Sequence, residues 1–131
     1  DHMMRIRELQ DKTGGFNAFI PLVYQKENNY LNIKEPLTAV EILKTMAISR
    51  IVLDNMPNLK AYWVTSTVGL ALLAQEFGAN DLDGTIEKES INSAAGAKSA
   101  NGMQQNEFVS LIKDSGFEPV ERDSLYNEVG V

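Results

Sequence analysis

The chain has 131 residues, a net charge of −6 and no cysteine. Its 44% hydrophobic and 23% charged residues are typical of a globular domain with a real core, so we expect one domain over residues 1–131. The acidic balance argues against nucleic acid as a partner. The lack of cysteine excludes disulfides, thiolate nucleophiles and an iron–sulfur cluster ligated by this chain alone.

The sequence predicts no membrane span. Its most apolar stretch, residues 61–77, is interrupted by polar residues that include Thr65 and Glu76. The N-terminus also lacks the charged and then apolar pattern of a signal peptide. We therefore expect a cytoplasmic protein with no membrane partner.

The first predicted element is an amphipathic helix over residues 3–12, because apolar residues recur there at helical spacing. Gly14 suits the end of that helix. The aromatic and β-branched run 16–24 then predicts a buried strand, with Pro21 near its end. A native protein seldom begins inside a helix, so we expect the chain to be the C-terminal part of a longer one.

Two further helix–strand steps follow in the middle of the chain. Thr38 is a suitable start for a long helix that Pro57 stops. Residues 59–64 predict the next strand, and residues 68–77 predict a buried helix that ends at Gly78. The pattern of alternating helices and strands favours parallel strands.

The last third of the chain repeats this order. Residues 80–85 are polar for a strand, yet they lie between two helical patterns, of which the second runs from about Thr85 to Ala95. Another helix is predicted over residues 104–115. An extended segment, 118–123, and a frayed tail follow.

These elements predict an α/β fold with three or four parallel strands and outer helices. That number is too small for a closed eight-stranded barrel of about 250 residues, so we expect a partial TIM-type (β/α) barrel. The alternative is a small, self-contained α/β binding module with helices on both faces of its sheet. Because part of a barrel exposes sheet edges, we also expect a homo-oligomer that pairs those edges.

The segment after the third predicted strand carries the strongest indication of a site, because the carboxyl ends of parallel strands form the reactive surface in such folds. Alternation along the strand would place Asp81, Asp83 and Thr85 on one face, where the carboxylates could accept hydrogen bonds from a ribose or an amino group. The alternative is that Asp83 and Thr85 cap the next helix. The full set of polar candidates is Asn80, Asp81, Asp83, Thr85, Glu87 and Glu89.

Other side chains have two interpretations each. Tyr62 and Trp63 should point to opposite faces of their strand, as core residues or as a platform for a ligand. Arg50 could pair with Asp54 four residues later, or it could reach a substrate carboxylate. A metal site is not expected, because the acidic segment lacks the EF-hand pattern and His2 is the only histidine.

Longer motifs resemble the radical S-adenosylmethionine (SAM) enzymes of the futalosine pathway and their deazaflavin-synthase relatives. Lys-Ala-Tyr-Trp at 60–63 and Asp-Leu-Asp-Gly-Thr at 81–85 are similar to aminofutalosine synthase in particular. The resemblance covers nearly the whole chain, through residues 9–16, 18–22, 48–55, 60–63, 77–85 and 94–97 and through Pro119, Glu121, Arg122, Asp123 and Tyr126.

The resemblance implies an enzyme that uses SAM and a [4Fe–4S] cluster to add a 5′-deoxyadenosyl radical to 3-[(1-carboxyvinyl)oxy]benzoate in menaquinone biosynthesis. The cluster motif of such enzymes, CxxxCxxC, is absent from this chain, so these residues alone are expected to be inactive. The family pattern places Ile20, Pro21 and Leu22 beside the SAM adenine. It places Asn80, Asp81, Asp83, Thr85 and Glu89, and Tyr62 or Trp63, on the substrate side.

Overall fold

The computed structural model describes residues 1–25, 30–31, 35–85 and 102–129. The predicted helix from about Thr85 to Ala95, with Glu87 and Glu89, lies almost entirely outside these residues. The described elements in chain order are α1 (His2–Thr13), β1 (Ala18–Phe19), α2 (Ala39–Val52), β2 (Asn58–Ala61), α3 (Val68–Leu73), a 3₁₀ helix (Ala74–Phe77), β3 (Asp81–Leu82) and α4 (Gln105–Asp114).

The three strands form one parallel sheet in the order β1-β2-β3. The α/β class and the parallel strands are therefore confirmed, and the described part of the chain contains no closed barrel. Each strand is shorter than the sequence predicted. β2 stops at Ala61 because the chain turns at once, and the hydroxyls of Thr65 and Ser66 donate to the carbonyl oxygen of Tyr62 at 3.3 and 3.1 Å.

The two faces of the sheet differ in character. Leu59 and Ala61 are buried against α2 and α3, and the register places Leu82 beside Ala61 on the same face. On the opposite face, Lys60 is paired in register with Asp81. The apolar core thus occupies one side of the sheet, and the other side is polar. The helices and connections contribute further core residues, which include Leu43, Met46, Trp63, Val64, Ala71 and Ala74.

Local sequence signals set the helix ends as predicted. The Thr38 hydroxyl accepts from the Glu41 backbone N–H at 3.3 Å, and the Glu41 carboxylate accepts from the Thr38 backbone N–H at 2.8 Å, which is a capping box at the start of α2. Gly14 ends α1 with a left-handed φ of 58°. Gly78 ends the 3₁₀ helix with a φ of 100°.

Arg50 of α2 ties the N-terminal end of the sheet together. Its guanidinium donates to the carbonyl oxygen of Gly78 at 2.7 Å, to that of Met56 at 3.0 Å and to the side-chain oxygen of Asn80 at 2.9 Å. The proposed pair of Arg50 with Asp54 is therefore not formed, and a contact of Arg50 with a substrate carboxylate stays a prediction. Asp54 instead pairs with Arg7 of α1 at 3.0 Å.

The prediction of a frayed tail after residue 123 is wrong for residues 125–129, which form an ordered turn with residues 121–124. These residues form a tight turn in which Arg122 and Glu128 make an antiparallel bridge. The backbone N–H of Val129 donates to the carbonyl oxygen of Glu121 at 2.8 Å. Tyr126 lies at the tip with a left-handed φ of 67°, which is rare for a residue with a side chain.

Among the described residues, no helix has the length and apolar character needed to cross a lipid bilayer. β1 and β3 are the outer strands of the described sheet. The homo-oligomer that would pair such edges stays a prediction.

Candidate functional site

The residues that follow the three strands meet at one edge of the sheet. Since all three strands are parallel, their carboxyl ends point the same way. Ile20 follows β1, Tyr62 follows β2 and Asp83 follows β3. This edge is where parallel α/β proteins place their ligands.

A group of ionisable side chains lies at this edge on the polar face of the sheet. We call it the strand-end cluster and define it as Lys60, Asp81, Asp83, Arg122 and Tyr126. Arg122 donates to both oxygens of Asp81, at 2.6 Å from Nε and at 2.8 Å from Nη2. The Tyr126 hydroxyl donates to Asp81 Oδ2 at 3.2 Å. The two-point contact between Arg122 and Asp81 is the strongest geometry available to an arginine and a carboxylate.

Lys60 lies between the two aspartates and is closer to one of them. Its Nζ atom is 2.8 Å from Asp83 Oδ1 and 3.6 Å from Asp81 Oδ2. The Lys60 side chain is 12% exposed, Asp81 is 9% exposed and Asp83 is 22% exposed. Asp83 is therefore the acceptor of the pair that a ligand can reach more easily.

The aspartates favour the charged forms of the two cations in the cluster, Lys60 and Arg122. Burial by itself would lower the pKa of Lys60, but the hydrogen bond to Asp83 and the charges of both aspartates raise it above its usual value. The hydrogen bonds to Asp81 likewise raise the pKa of Arg122. Burial and the negative charge of Asp81 raise the pKa of Tyr126, whose ring lies 4.0 Å from the Arg122 guanidinium carbon.

Trp63 holds the backbone at Asp83 and Gly84 in place. Its indole N–H points to the carbonyl oxygens of Asp83 and Gly84, at 3.2 and 3.3 Å. Its ring is 1% exposed and lies 6.4 Å from the ring of Phe108 of α4, centre to centre. Trp63 is thus the core member of the Tyr62–Trp63 pair. A substrate contact by Trp63 stays a prediction, and this burial does not support it.

The predicted SAM side lies at the end of β1. Ile20 and Leu22 are 38% and 63% exposed. Pro21 instead borders a small, open pocket together with Tyr62 and Met46. Tyr62 is half-buried and also packs against the core. The end of β1 therefore presents apolar surface, and contact of these residues with SAM stays a prediction.

Asn80 and Thr85 do not join the strand-end cluster. Asn80 lies at the opposite end of β3, where its side-chain oxygen accepts from the Leu59 backbone N–H at 2.8 Å and its amide donates to the Pro57 carbonyl oxygen at 3.1 Å. Thr85 is exposed. Glu89 lies outside the described residues, and so does the helix that Asp83 and Thr85 were expected to cap. Contacts of Asn80, Thr85 and Glu89 with a substrate stay predictions.

Sequence reasoning did not select Lys60, Arg122 or Tyr126 as site residues. Arg122 and Tyr126 contact Asp81 across 41 and 45 positions of the chain, a separation at which spacing carries no signal. The one available signal was that both residues belong to the C-terminal motif of the resemblance. The available signal for Lys60 was alternation along its strand, which places it on the face opposite Leu59 and Ala61.

The cluster is built to bind polar groups. In the residues that the structure describes, Asp83 Oδ2 has no hydrogen-bond donor, whereas Oδ1 accepts from Lys60. An ammonium nitrogen carries three donors, so Lys60 retains donor capacity beside Asp83. The described residues contain no group of three metal-binding side chains. Within the described residues, Asp83 thus provides an acceptor and Lys60 a donor at the same place.

Comparisons with known proteins give the chain a family. It is 44% identical over its whole length to an aminodeoxyfutalosine synthase from Thermus thermophilus, of which it covers 36%. It is 37% identical over its whole length to a cyclic dehypoxanthine futalosine synthase from Streptomyces coelicolor, of which it covers 32%. It is also 38% identical, over 98% of its length, to a 5-amino-6-(D-ribitylamino)uracil–L-tyrosine 4-hydroxyphenyl transferase from Methanosarcina barkeri, of which it covers 35%.

The chain thus spans about a third of the length of these curated relatives. The family model described as the CofH/MqnC C-terminal region matches residues 13–130. This match includes all three strands and the strand-end cluster. The chain therefore belongs to the CofH/MqnC C-terminal region family.

Proposed function

We propose that the protein to which this chain belongs is a radical SAM enzyme with the activity of aminofutalosine synthase. It would add a 5′-deoxyadenosyl radical to 3-[(1-carboxyvinyl)oxy]benzoate in menaquinone biosynthesis. The observation that carries this proposal is the 44% identity over the whole chain to an aminodeoxyfutalosine synthase, against 37% and 38% for relatives with two other activities. The motifs at 60–63 and 81–85 support the same choice.

The chain would contribute the SAM side of the site through the end of β1. Exposed Ile20 and Leu22 flank Pro21 there, and their apolar surface fits the face of an adenine. When bound, SAM supplies the radical, while the residues of this chain hold its nucleoside and exclude water. An apolar platform of this kind also leaves the polar groups of the nucleoside to other contacts.

The strand-end cluster would contribute the polar contacts. Asp83 Oδ2 is an acceptor for a hydroxyl or an amino group, and Lys60 is a donor for a carboxylate. The substrate carries two carboxylates and SAM carries a ribose and an amino group, so both ligands have groups that match. Tyr62, at the end of β2, is the aromatic side chain best placed to pack beside the benzoate ring.

The iron–sulfur cluster does not fit the residues of this chain. A [4Fe–4S] cluster is held by cysteine thiolates, and the 131 residues contain none. Its ligands would have to come from a part of the protein outside these residues. The chain by itself is therefore expected to bind no cluster and to have no activity.

We also propose that the sheet is part of a TIM-type barrel. The polar face that carries Lys60 and Asp81 would line the interior, and the face that carries Leu59 and Ala61, which is buried under helices, would be the outer one. This arrangement would direct the strand-end cluster into the mouth of the barrel, where such enzymes hold their ligands. A self-contained module with helices on both faces is not favoured by the polar character of the Lys60 face.

A turnover assay tests the proposed activity. The full-length protein is reconstituted with iron and sulfide under anaerobic conditions and incubated with SAM, a reductant and one candidate substrate at a time. We expect a SAM-dependent product, identified by mass, that combines the 5′-deoxyadenosyl group with 3-[(1-carboxyvinyl)oxy]benzoate after rearrangement and loss of one carboxylate. Turnover of dehypoxanthine futalosine instead, or of tyrosine with 5-amino-6-(D-ribitylamino)uracil, would assign the protein to one of its relatives' activities.

A further inference from the structure

We propose that Arg122 and Tyr126 are positioning residues that, by occupying the oxygens of Asp81, direct Lys60 to Asp83. The inference deepens the proposed function, because Asp83 is the acceptor offered to the ligand. It depends on one asymmetry of the strand-end cluster. Lys60 is 2.8 Å from Asp83 but 3.6 Å from Asp81, although Asp81 is the more deeply buried carboxylate and should attract a cation more strongly.

The contacts of Asp81 explain this asymmetry. Both of its oxygens accept a hydrogen bond from Arg122, and Oδ2 accepts a further one from Tyr126. A carboxylate that is matched in two-point geometry by a guanidinium attracts a second cation much less. Lys60 is therefore left to the other aspartate, and the cluster divides into two ion pairs, Arg122 with Asp81 and Lys60 with Asp83.

The turn that carries Arg122 has its own means of holding it. The carboxylate of Asp123 accepts from the backbone N–H groups of Leu125 and Asn127, at 2.8 and 2.9 Å, and these bonds close the turn. Closure places Tyr126 in its left-handed conformation, with its ring 4.0 Å from the Arg122 guanidinium carbon. A strained backbone that persists at a cluster of charges is consistent with a positioning role.

Charge counting predicts what happens when one member is removed. Without Arg122, Asp81 is a buried carboxylate with a lysine 3.6 Å away, and Lys60 should move to it and release Asp83. Without the charge of Asp81, Arg122 loses its partner and competes with Lys60 for Asp83. When both charges are removed together, Lys60 and Asp83 remain as a balanced pair.

The first test is structural and does not depend on the activity. A crystal structure of the full-length Arg122→Gln variant should show Lys60 Nζ within hydrogen-bond distance of Asp81 and no longer bonded to Asp83. In the Asp81→Asn/Arg122→Gln double variant, Lys60 should be bonded to Asp83 again. Lys60 still bonded to Asp83 in the single variant would overturn the inference.

The second test measures binding by the full-length protein. The affinities for SAM and for 3-[(1-carboxyvinyl)oxy]benzoate are measured separately by calorimetry. We expect Arg122→Gln to weaken at least one of them by about tenfold or more, and the double variant to restore it to within about threefold of the wild type. If Arg122 served only to anchor the turn, the double variant should not restore the affinity, because both partners of the Arg122–Asp81 ion pair are then removed.

Two further variants separate this inference from the proposed function. Tyr126→Phe keeps the ring on Arg122 and removes one hydroxyl, so it should change the affinity less than Arg122→Gln does. Asp83→Asn should weaken the same ligand as Arg122→Gln. If Asp83→Asn leaves both affinities unchanged while Lys60 moves as expected in the crystal, the assignment of the ligand to Asp83 fails and the positioning stands. If Asp83→Asn weakens binding and the double variant restores nothing, the positioning fails.

Discussion

The two ends of the parallel sheet each contain an arginine that closes a network, and the two networks use different partners. At the N-terminal end, Arg50 donates to the carbonyl oxygens of Gly78 and Met56 and to the amide oxygen of Asn80. At the carboxyl end, Arg122 donates to the carboxylate of Asp81. The partners at the first end are neutral and structural, whereas those at the second are ionised and lie beside an acceptor open to a ligand.

This difference indicates that the fold separates the residues for stability from those for binding. A guanidinium bonded to carbonyl oxygens satisfies backbone groups and positions chain segments, but it offers a ligand no exchangeable partner. A guanidinium bonded to a carboxylate balances a charge that a substrate could also balance. We therefore expect variants at the N-terminal end to lower stability, and variants at the carboxyl end to lower affinity.

The largest effect is expected at Gly78. Its φ of 100° disfavours any other residue. A Cβ atom added there would lie 2.6 Å from Arg50 Cβ, which is backbone-proximal and cannot move far. Gly78→Ala should lower the free energy of unfolding by about 3 kcal/mol or more, measured by chemical denaturation.

Gly14→Ala is the matched control for this variant. Gly14 is also left-handed, at a φ of 58°, but a Cβ atom there would meet nothing within 4 Å. It should therefore cost about 1 kcal/mol, from backbone strain alone. Equal losses for the two glycines would show that the close approach to Arg50 contributes nothing, and the N-terminal network would be looser than its geometry indicates.

Arg50→Met should give the next largest effect. The variant keeps the apolar stem and leaves the carbonyl oxygens of Gly78 and Met56 without this donor, while the Asn80 oxygen keeps the Leu59 N–H. The free energy of unfolding should therefore fall by about 2 kcal/mol. The affinity of the folded protein for SAM and for the benzoate substrate should not change. Arg5→Met is the control, because Arg5 pairs with Asp1 on the surface and both side chains are more than three-quarters exposed. A loss of affinity without a loss of stability in Arg50→Met would reverse the comparison between the two ends.

The sequence predicted the parts of this comparison that depend on local signals. Thr38 marked a helix start, Gly14 and Gly78 marked helix ends, and the alternation of elements predicted the parallel sheet. It could not say that Arg50 and Asn80, 30 positions apart, would meet at the N-terminal end. Nor could it show that residues 121–129 would fold back on Asp81, since that contact depends on tertiary packing rather than on periodicity.

The smallest effect we predict is a difference in the response of the two ends to high pH. The pKa of Lys60 and that of Tyr126 are both raised in the folded protein. A group whose pKa is raised by folding stabilises the protein fully below its unfolded pKa, about 10.4 for lysine and 10 for tyrosine, and this contribution is lost as the pH rises through the folded pKa. The free energy of unfolding should therefore fall above about pH 10.

Variants assign that loss to the carboxyl end. In Lys60→Met the free energy of unfolding should decline less steeply between about pH 9 and pH 11 than in the wild type. The reason is that Lys60, one of the two groups that titrate in this range with a raised pKa, is gone. Tyr126→Phe should give a smaller change in the same direction. In Arg50→Met the plot of the free energy of unfolding against pH should be displaced downward without a change of slope. The partners of Arg50 are carbonyl and amide oxygens, which do not titrate. A slope in Lys60→Met equal to that of the wild type would mean that the strand-end cluster does not hold Lys60 in its charged form, and the division into two ion pairs would fail with it.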